Sequence, residues 1–142
     1  MGTMTEPRSV GCVGRLRTLI ADGSALGRRS LSLFVRANRD LNLVGCVSDG
    51  QQAIKLAAAL RPDLVLMALE LPQRNGVDAT RQIKLRADAP VVVMLADDDW
   101  ACRAISLIGG ADAFIARRGI PTQLAPLLGR LLGLPSYQRE TP

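Results

Sequence analysis

Short apolar runs alternate regularly with longer segments of helical period from residue 16 onward, and this alternation limits the possible folds more than any other feature. Five apolar runs predict strands, at 17–21, 41–47, 63–69, 90–96 and 113–117. Five further segments predict helices, at 24–38, 49–61, 75–88, 97–108 and 121–133. Strands and helices that alternate through short connections form parallel sheets. We therefore expect an α/β fold: a three-layer sandwich with helices on both faces of a doubly wound, five-stranded parallel sheet.

Two of the predicted helices carry specific expectations about their ends. Asp97, Asp98 and Asp99 open the fourth helix, where carboxylates favour capping and the helix dipole. The alternative for these three residues is a cation site. Pro126 lies within the last predicted helix, and an interior proline costs about 3 kcal/mol. That helix is therefore expected to begin near Thr122 or Ala125.

Composition indicates one folded domain in a chain of 142 residues. A hydrophobic content of 48% with 22% charged residues excludes a disordered chain. No apolar run approaches the roughly 18 residues of a membrane span, and the start of the chain lacks the apolar stretch of a secretion signal. We expect a cytoplasmic protein without membrane association. Its predicted organisation is a flexible leader at 1–15, one domain at 16–133 and a tail or linker at 134–142.

The net charge of +5, with sixteen arginines and two lysines, raises the question of nucleic-acid binding. The arginines are scattered and only 3% of the residues are aromatic, so the sequence shows neither a stacking platform nor a basic stripe. A solvated basic surface is favoured over a nucleic-acid surface. Cys12, Cys46 and Cys102 are widely spaced in a chain without histidine, which favours free thiols over a zinc site.

Functional residues are expected after the first and third strands, because ligands of doubly wound sheets bind beyond the carboxyl ends of the strands. Asp22 and Gly23 follow the first strand. The third strand ends at Ala68, with Glu70 in the following loop. Alanine cannot act as a nucleophile, a base or a metal ligand. The end of this strand therefore lacks the chemistry that its position predicts.

Several separated segments resemble the receiver domain of bacterial response regulators, in its CheY-like, NarL/FixJ form. The segments are TLIADGSALGRRSL at 18–31, VGCVSDGQQAIKLAAALRPDLVLMALELP at 44–72 and NGVDATRQI at 75–83. The similarity covers about 17–133 and includes GGADAFIAR at 109–117. The resemblance implies a flavodoxin-like sheet with the strand order 2-1-3-4-5.

The resemblance also implies a chemistry, in which a histidine kinase phosphorylates an aspartate at the end of the third strand. Mg²⁺ held by two acidic residues, a hydroxyl on the fourth strand and a lysine on the fifth neutralise the phosphoryl charge. Pro72 and Gly76 match the family's proline and glycine, four and eight residues after the acceptor, and this match places Ala68 at the acceptor position. The acidic pair falls on Asp22 and Gly23.

The remaining positions also depart from the family pattern. The hydroxyl position falls on Leu95, the lysine on Arg117, and the aromatic of the fifth strand is Phe114, without a hydroxyl. We expect no phosphorylation, no enzymatic activity, no cofactor, and Mg²⁺ binding that is weak or absent. Asp22, at most a remnant ligand, is expected to pair with Arg117 instead of a metal. Glu70, on a loop, is expected to lie in solvent.

The resemblance implies that partners bind a face formed by the fourth helix, the fifth strand and the fifth helix. The candidate residues on this face are Trp100, Arg103, Phe114 and Arg118. Trp100 either contacts a partner or packs partly against the domain's own core. We expect a protein partner or a homodimer through this face, and no direct nucleic-acid binding by this chain.

These expectations combine into a phosphorylation-independent receiver that acts as an interaction or dimerisation module in bacterial signal transduction or transcriptional regulation. Two alternatives stay open. In the first, the chain is the regulatory N-terminal half of a longer NarL/FixJ-type transcription factor. In the second, it is a pseudo-receiver whose degenerate pocket binds a small ligand.

Overall fold

The computed structural model describes residues 15–133, which form five strands, five α-helices and one short 3-10 helix. The strands are β1 (Leu16–Ala21), β2 (Leu41–Val47), β3 (Leu64–Ala68), β4 (Val91–Ala96) and β5 (Ala113–Ala116). The helices are α1 (Ala25–Ala37), α2 (Gly50–Leu60), α3 (Gly76–Ile83), α4 (Trp100–Ile108) and α5 (Ile120–Leu132). The 3-10 helix, Arg117–Gly119, joins β5 to α5. The predicted alternation of strands and helices is confirmed.

All five strands are parallel and lie in the order β2-β1-β3-β4-β5. The order confirms the doubly wound topology. β3 lies at the centre, and all five of its residues are buried, as expected of an apolar strand covered on both faces. The carboxyl ends of β1, β3 and β4 are therefore adjacent at one edge of the sheet.

The core has two layers because successive side chains of a strand point to opposite faces of the sheet. On β3, Val65 and Met67 pack with the layer that contains α2 and α3, and Cys102 of α4 contacts the same layer. Leu64 and Leu66 pack with the layer that contains residues of α1 and α5. α1 and α5 therefore cover one face of the sheet, and α2, α3 and α4 cover the other.

Polar side chains cap the N-termini of four helices. Ser24, Asp49, Asn75 and Asp99 each accept a hydrogen bond from a backbone N–H in the first turn of the helix that follows. The third helix ends at Ile83, five residues before the predicted end. Its apolar period stops there, and the next residues form turns that lead to β4.

The expectation for the start of α5 is wrong, because the helix begins at Ile120 and Pro126 lies in its interior. Leu124 and Leu128 are buried on the core side of the helix, whereas Pro126 and Thr122 are exposed. The carbonyl of Thr122 loses its usual helical partner but lies where water can donate to it. Packing of the apolar face therefore outweighs the cost of the proline.

The predicted leader and tail lie outside the described residues, apart from Arg15, and the domain boundaries stay predictions. Cys12 also lies outside, while Cys46 and Cys102 are free thiols as predicted. Between residues 15 and 133, no helix combines the length and the apolar character that a membrane crossing requires.

Candidate functional site

Four side chains lie where β1, β3, β4 and β5 end: Asp22, Ala68, Leu95 and Arg117. Ala68 is paired in register with Leu95, and Asp22 follows the residue of β1 that pairs with Met67. By the alternation of the strands, all four belong to the layer of α1 and α5. The sequence assigns these four positions, together with Gly23 and Glu70, to one pocket, and this assignment stays a prediction.

Asp22 and Arg117 form an ion pair across the pocket, as predicted. Nη1 of Arg117 lies 2.9 Å from Oδ2 of Asp22, and the backbone N–H of Ser24 donates to Oδ1 at 2.9 Å. The Asp22 side chain is only 2% exposed, whereas the Arg117 side chain is 38% exposed. Both oxygens of a buried carboxylate are thus satisfied within the chain, which is the condition under which such a charge is tolerated.

Ala68 and Leu95 are completely buried and add no polar group to the pocket. Leu95 packs in the apolar layer with Val93 and Ile115. Gly76 allows the start of α3 to approach β3 closely, since a Cβ at this position would overlap the carbonyl oxygen of Ala68. The acceptor position predicted from the sequence is therefore a tightly packed, apolar strand end.

The loop after β3 lies close to Gly23, the second residue of the predicted acidic pair. A Cβ at Gly23 would lie 3.1 Å from Cδ of Pro72, and the backbone N–H of Gly50 holds the same loop by donating to the Pro72 carbonyl at 3.2 Å. Glu70, two residues before Pro72 in the same loop, is exposed as predicted. A side chain at position 23 would therefore require Pro72 to shift by a few tenths of an ångström.

Gly27 is a pocket residue that the sequence reasoning missed. It lies in the first turn of α1, and a Cβ there would overlap the Asp22 carboxylate, with Cγ of Asp22 only 2.7 Å away. Arg28 of the same turn donates from Nη1 to the Asp22 carbonyl at 2.9 Å. A glycine within a helical segment costs stability relative to alanine, and this cost was the available signal for a packing role.

The outer face of α4 carries apolar side chains that contact little of the described chain. Trp100 and Ile108 are 81% and 80% exposed, and Ile105 and Leu107 are also exposed. The alternative in which Trp100 packs partly against the core is therefore wrong. A helix that is apolar on its outer face as well as its inner face is typical of one that is covered by a further surface.

Phe114 does not present its ring on this face, and its assignment as a contact residue needs correction. The residue is buried on the α4 side of β5, because strand alternation turns it inward. Cζ of Arg103 lies 4.8 Å from the ring centroid, a cation–π contact that fixes the arginine above the ring. Arg103 and Arg118 are exposed, so the two arginines lie on the surface of this face and the Phe114 ring lies beneath it.

Two of the three aspartates before α4 have different partners. Asp99 caps the helix by accepting from the N–H of Ala101 at 2.8 Å, so the capping prediction is confirmed for this residue. Asp98 instead pairs with Arg118 at 2.8 Å. Desolvation, reinforced by Asp99 and other nearby carboxylates, raises the pKa of the Cys102 thiol. This thiol therefore stays protonated near neutral pH and is a poor nucleophile.

Comparison with known proteins gives the family. The family sequence model described as the response regulator receiver domain matches residues 18–127, which is more than half of the chain. The chain belongs to the response regulator receiver domain family. It is thus a receiver domain of the two-component signalling systems.

This receiver is 41% identical over 112 residues to the transcriptional regulatory protein PdtaR of Mycobacterium tuberculosis, covering 79% of this chain and 54% of PdtaR. It is 39% identical over 104 residues to protein-glutamate methylesterase/protein-glutamine glutaminase 4 of Myxococcus xanthus, covering 72% and 30%. The response regulator domain of Thermotoga maritima CheB has a TM-score of 0.70 and 29% identity, covering 78% of this chain and 91% of that one. The receiver thus spans about half or less of these two curated relatives.

The family chemistry implies Mg²⁺, and the pocket of this receiver does not fit that ion. Mg²⁺ needs near-octahedral oxygen ligands that include one or two carboxylates. Of the four pocket side chains only Asp22 is a carboxylate, and Arg117 and the Ser24 N–H already occupy its oxygens. Within residues 15–133, no group of three histidine, cysteine, aspartate or glutamate side chains is arranged to hold a metal.

Proposed function

We propose that this receiver works without phosphorylation, as a protein-interaction module. The observation that carries the proposal is the pairing of Asp22 with Arg117 beside Ala68 at the end of β3. The ion pair lies where a receiver with the family's acidic pair and lysine would hold a metal and a phosphoryl group. Here the pocket is closed by contacts within the chain.

Three features support the loss of phosphoryl transfer. Alanine has no atom that can attack phosphorus, so replacing the acceptor removes the reaction instead of slowing it. Leu95 would place methyl groups where a hydroxyl would meet a phosphoryl oxygen. Without Mg²⁺ and a lysine ammonium, phosphoryl charge beside the Asp22 carboxylate would be poorly neutralised.

The test is incubation of the full chain with acetyl phosphate and Mg²⁺, followed by intact-mass spectrometry. We expect an unchanged mass at all times, whereas a receiver that has the acceptor aspartate, treated in parallel, gains a phosphoryl group. A stable phosphoadduct on this chain would refute the proposal. The same samples, measured by heteronuclear NMR with and without Mg²⁺, should give identical spectra around Asp22.

The outer face of α4 is the interaction surface in this proposal. Tryptophan is among the residue types that are enriched in interface hot spots, and the exposed Trp100 lies on this face. The flanking Arg103 and Arg118 give the patch a charged rim. The Asp98–Arg118 pair could exchange partners with the same pair on a second copy, because it is exposed and carries both signs. A second copy of the chain is therefore the first partner to test.

The corresponding experiment is sedimentation equilibrium of the full chain and of Ile108→Arg. We expect the substitution to weaken self-association roughly tenfold or more, since it places a charge within the apolar patch. The matched control is Leu33→Arg, an exposed leucine on α1. If both variants self-associate equally, α4 is not part of the interface between copies. If the unsubstituted chain is strictly monomeric, the partner of this face is a different protein and not a second copy.

One alternative gains support from the comparisons. PdtaR is described as a transcriptional regulatory protein, and this receiver spans 54% of its length. On this alternative the receiver is the regulatory half of a longer NarL/FixJ-type transcription factor, and α4 contacts its output domain. The length of the endogenous polypeptide, measured by mass spectrometry of the native protein, distinguishes the two proposals.

A ligand inside the pocket itself is less favoured, because Asp22 and Ala68 present almost no surface.

A further inference from the structure

A groove of about 510 Å³ lies between α1 and the start of α5 and adjoins the pocket, with which it shares Arg117 and Gly27. Its apolar wall includes Leu26 and Phe34 of α1 and Ile120 and Pro121 of α5. Leu26 is 73% exposed, so its apolar surface is open to an occupant. The volume falls within the range of roughly 300–1,000 Å³ that is usual for small-molecule sites.

The charged group of this groove lies at one end. Ser24 and Arg117 lie at the end of the groove near the pocket, and Phe34 lies ten residues along α1 from Ser24. At a rise of 1.5 Å per residue, the groove follows α1 for about 15 Å. Its walls contain one charged residue, Arg117, and no acidic residue. The site is cationic at one end and, apart from Ser30, apolar along the rest of its length.

Arg117 can take a second anion without giving up the first. A guanidinium carries five N–H donors, and the contact with Asp22 uses Nη1. With the Arg117 side chain 38% exposed, further donors can face the groove. The buried partner Asp22 also holds the arginine in place, so that little conformational entropy is lost when an anion binds.

We infer that the groove binds a single-tailed anionic amphiphile, with its carboxylate or similar head on Arg117 and its aliphatic or aromatic body along Leu26 and Phe34. Charge complementarity selects the anionic head, and the length and apolar walls select a body of about ten carbon atoms. The groove and α4 lie on opposite faces of the sheet. Ligand binding is therefore independent of the interaction proposed for α4, and the failure of one leaves the other intact.

The first test is a heteronuclear NMR titration of the full chain with decanoate below its micellar concentration, with decanol and acetate as controls. Decanoate should bind saturably at one site and shift the resonances of residues 24–34 and 117–121. Decanol, which lacks the charge, should bind about fivefold or more weakly, and acetate should not saturate. Equal binding of decanoate and decanol would contradict the role of Arg117.

Two variants locate the site. Ser30→Trp fills the groove from an exposed position on α1 and should weaken decanoate binding about tenfold, whereas Ala58→Trp, exposed on α2, should leave it unchanged. Arg117→Gln should weaken decanoate binding but not decanol binding; if this variant does not fold, Ser30→Trp decides the result. Unchanged affinity in Ser30→Trp would overturn the inference. Binding only to anionic vesicles, without shifts in the groove, would likewise overturn it.

Discussion

The pocket at the strand ends and the outer face of α4 satisfy their side chains in opposite ways. In the pocket, the Asp22 carboxylate finds partners for both oxygens inside the chain, and Leu95 is completely buried. On α4, Trp100 and Ile108 remain about four-fifths exposed. In the pocket, the Asp22 carboxylate is hydrogen-bonded within the chain and Leu95 is buried. On the outer face of α4, the apolar side chains contact solvent.

Under the proposed function, the pocket and the outer face of α4 have separate roles. A pocket whose charges and volume are already filled contributes to folding stability and has little left with which to bind phosphate. A helix with an uncovered apolar face contributes little to folding stability and gains free energy only when a partner covers it. Substitutions in the pocket should therefore change stability, and substitutions on α4 should change association.

The largest contrast is expected between Leu95→Ala and Ile108→Ala. Loss of the buried leucine should lower the free energy of unfolding by roughly 2–5 kcal/mol, through lost burial and the resulting cavity. Loss of the exposed isoleucine should change it by about 0.5 kcal/mol or less. Urea denaturation of both variants measures the contrast, and similar losses would abolish the proposed division of roles.

A smaller effect is expected at Gly27, whose lack of a side chain leaves room for Asp22. Alanine is the better helix former by about 1 kcal/mol, but its Cβ would overlap the carboxylate, so Gly27→Ala should destabilise by roughly 1–3 kcal/mol. The cost should largely disappear in an Asp22→Ala background, where the overlap is relieved. Urea denaturation of the four proteins gives this coupling; equal costs in both backgrounds would show that Gly27 does not act through Asp22.

The smallest effect is expected for the ion pair between Asp98 and Arg118 beside α4. Both side chains are largely exposed, so their coupling energy in a double-alanine cycle should be about 1 kcal/mol or less and should decline in high salt. The contrast is with the Asp22–Arg117 pair, whose carboxylate is buried. A coupling energy at Asp98–Arg118 as large as that of the buried pair would contradict the distinction between the two regions.

Much of the fold was accessible from the sequence, because apolar periodicity identifies elements whose faces must be buried. The Asp22–Arg117 pair was also predictable, since both residues end strands at the same edge and carry opposite charges. Gly27 was missed because its role depends on the distance between α1 and the carboxylate. The interior position of Pro126 was missed because local propensity opposed it, while the burial of Leu124 and Leu128 decided the outcome.

The sequence by itself determined the class of the fold, the order of its elements and the absence of a nucleophile at Ala68, since these follow from residue type and periodicity along the chain. Only the tertiary structure decided that Trp100 is exposed, that Phe114 lies beneath Arg103 and that a groove opens beside Arg117. Exposure and cavity shape depend on how helices from distant parts of the chain pack against one sheet. The periodicity of a single helix shows which face is apolar, but not whether another element covers that face.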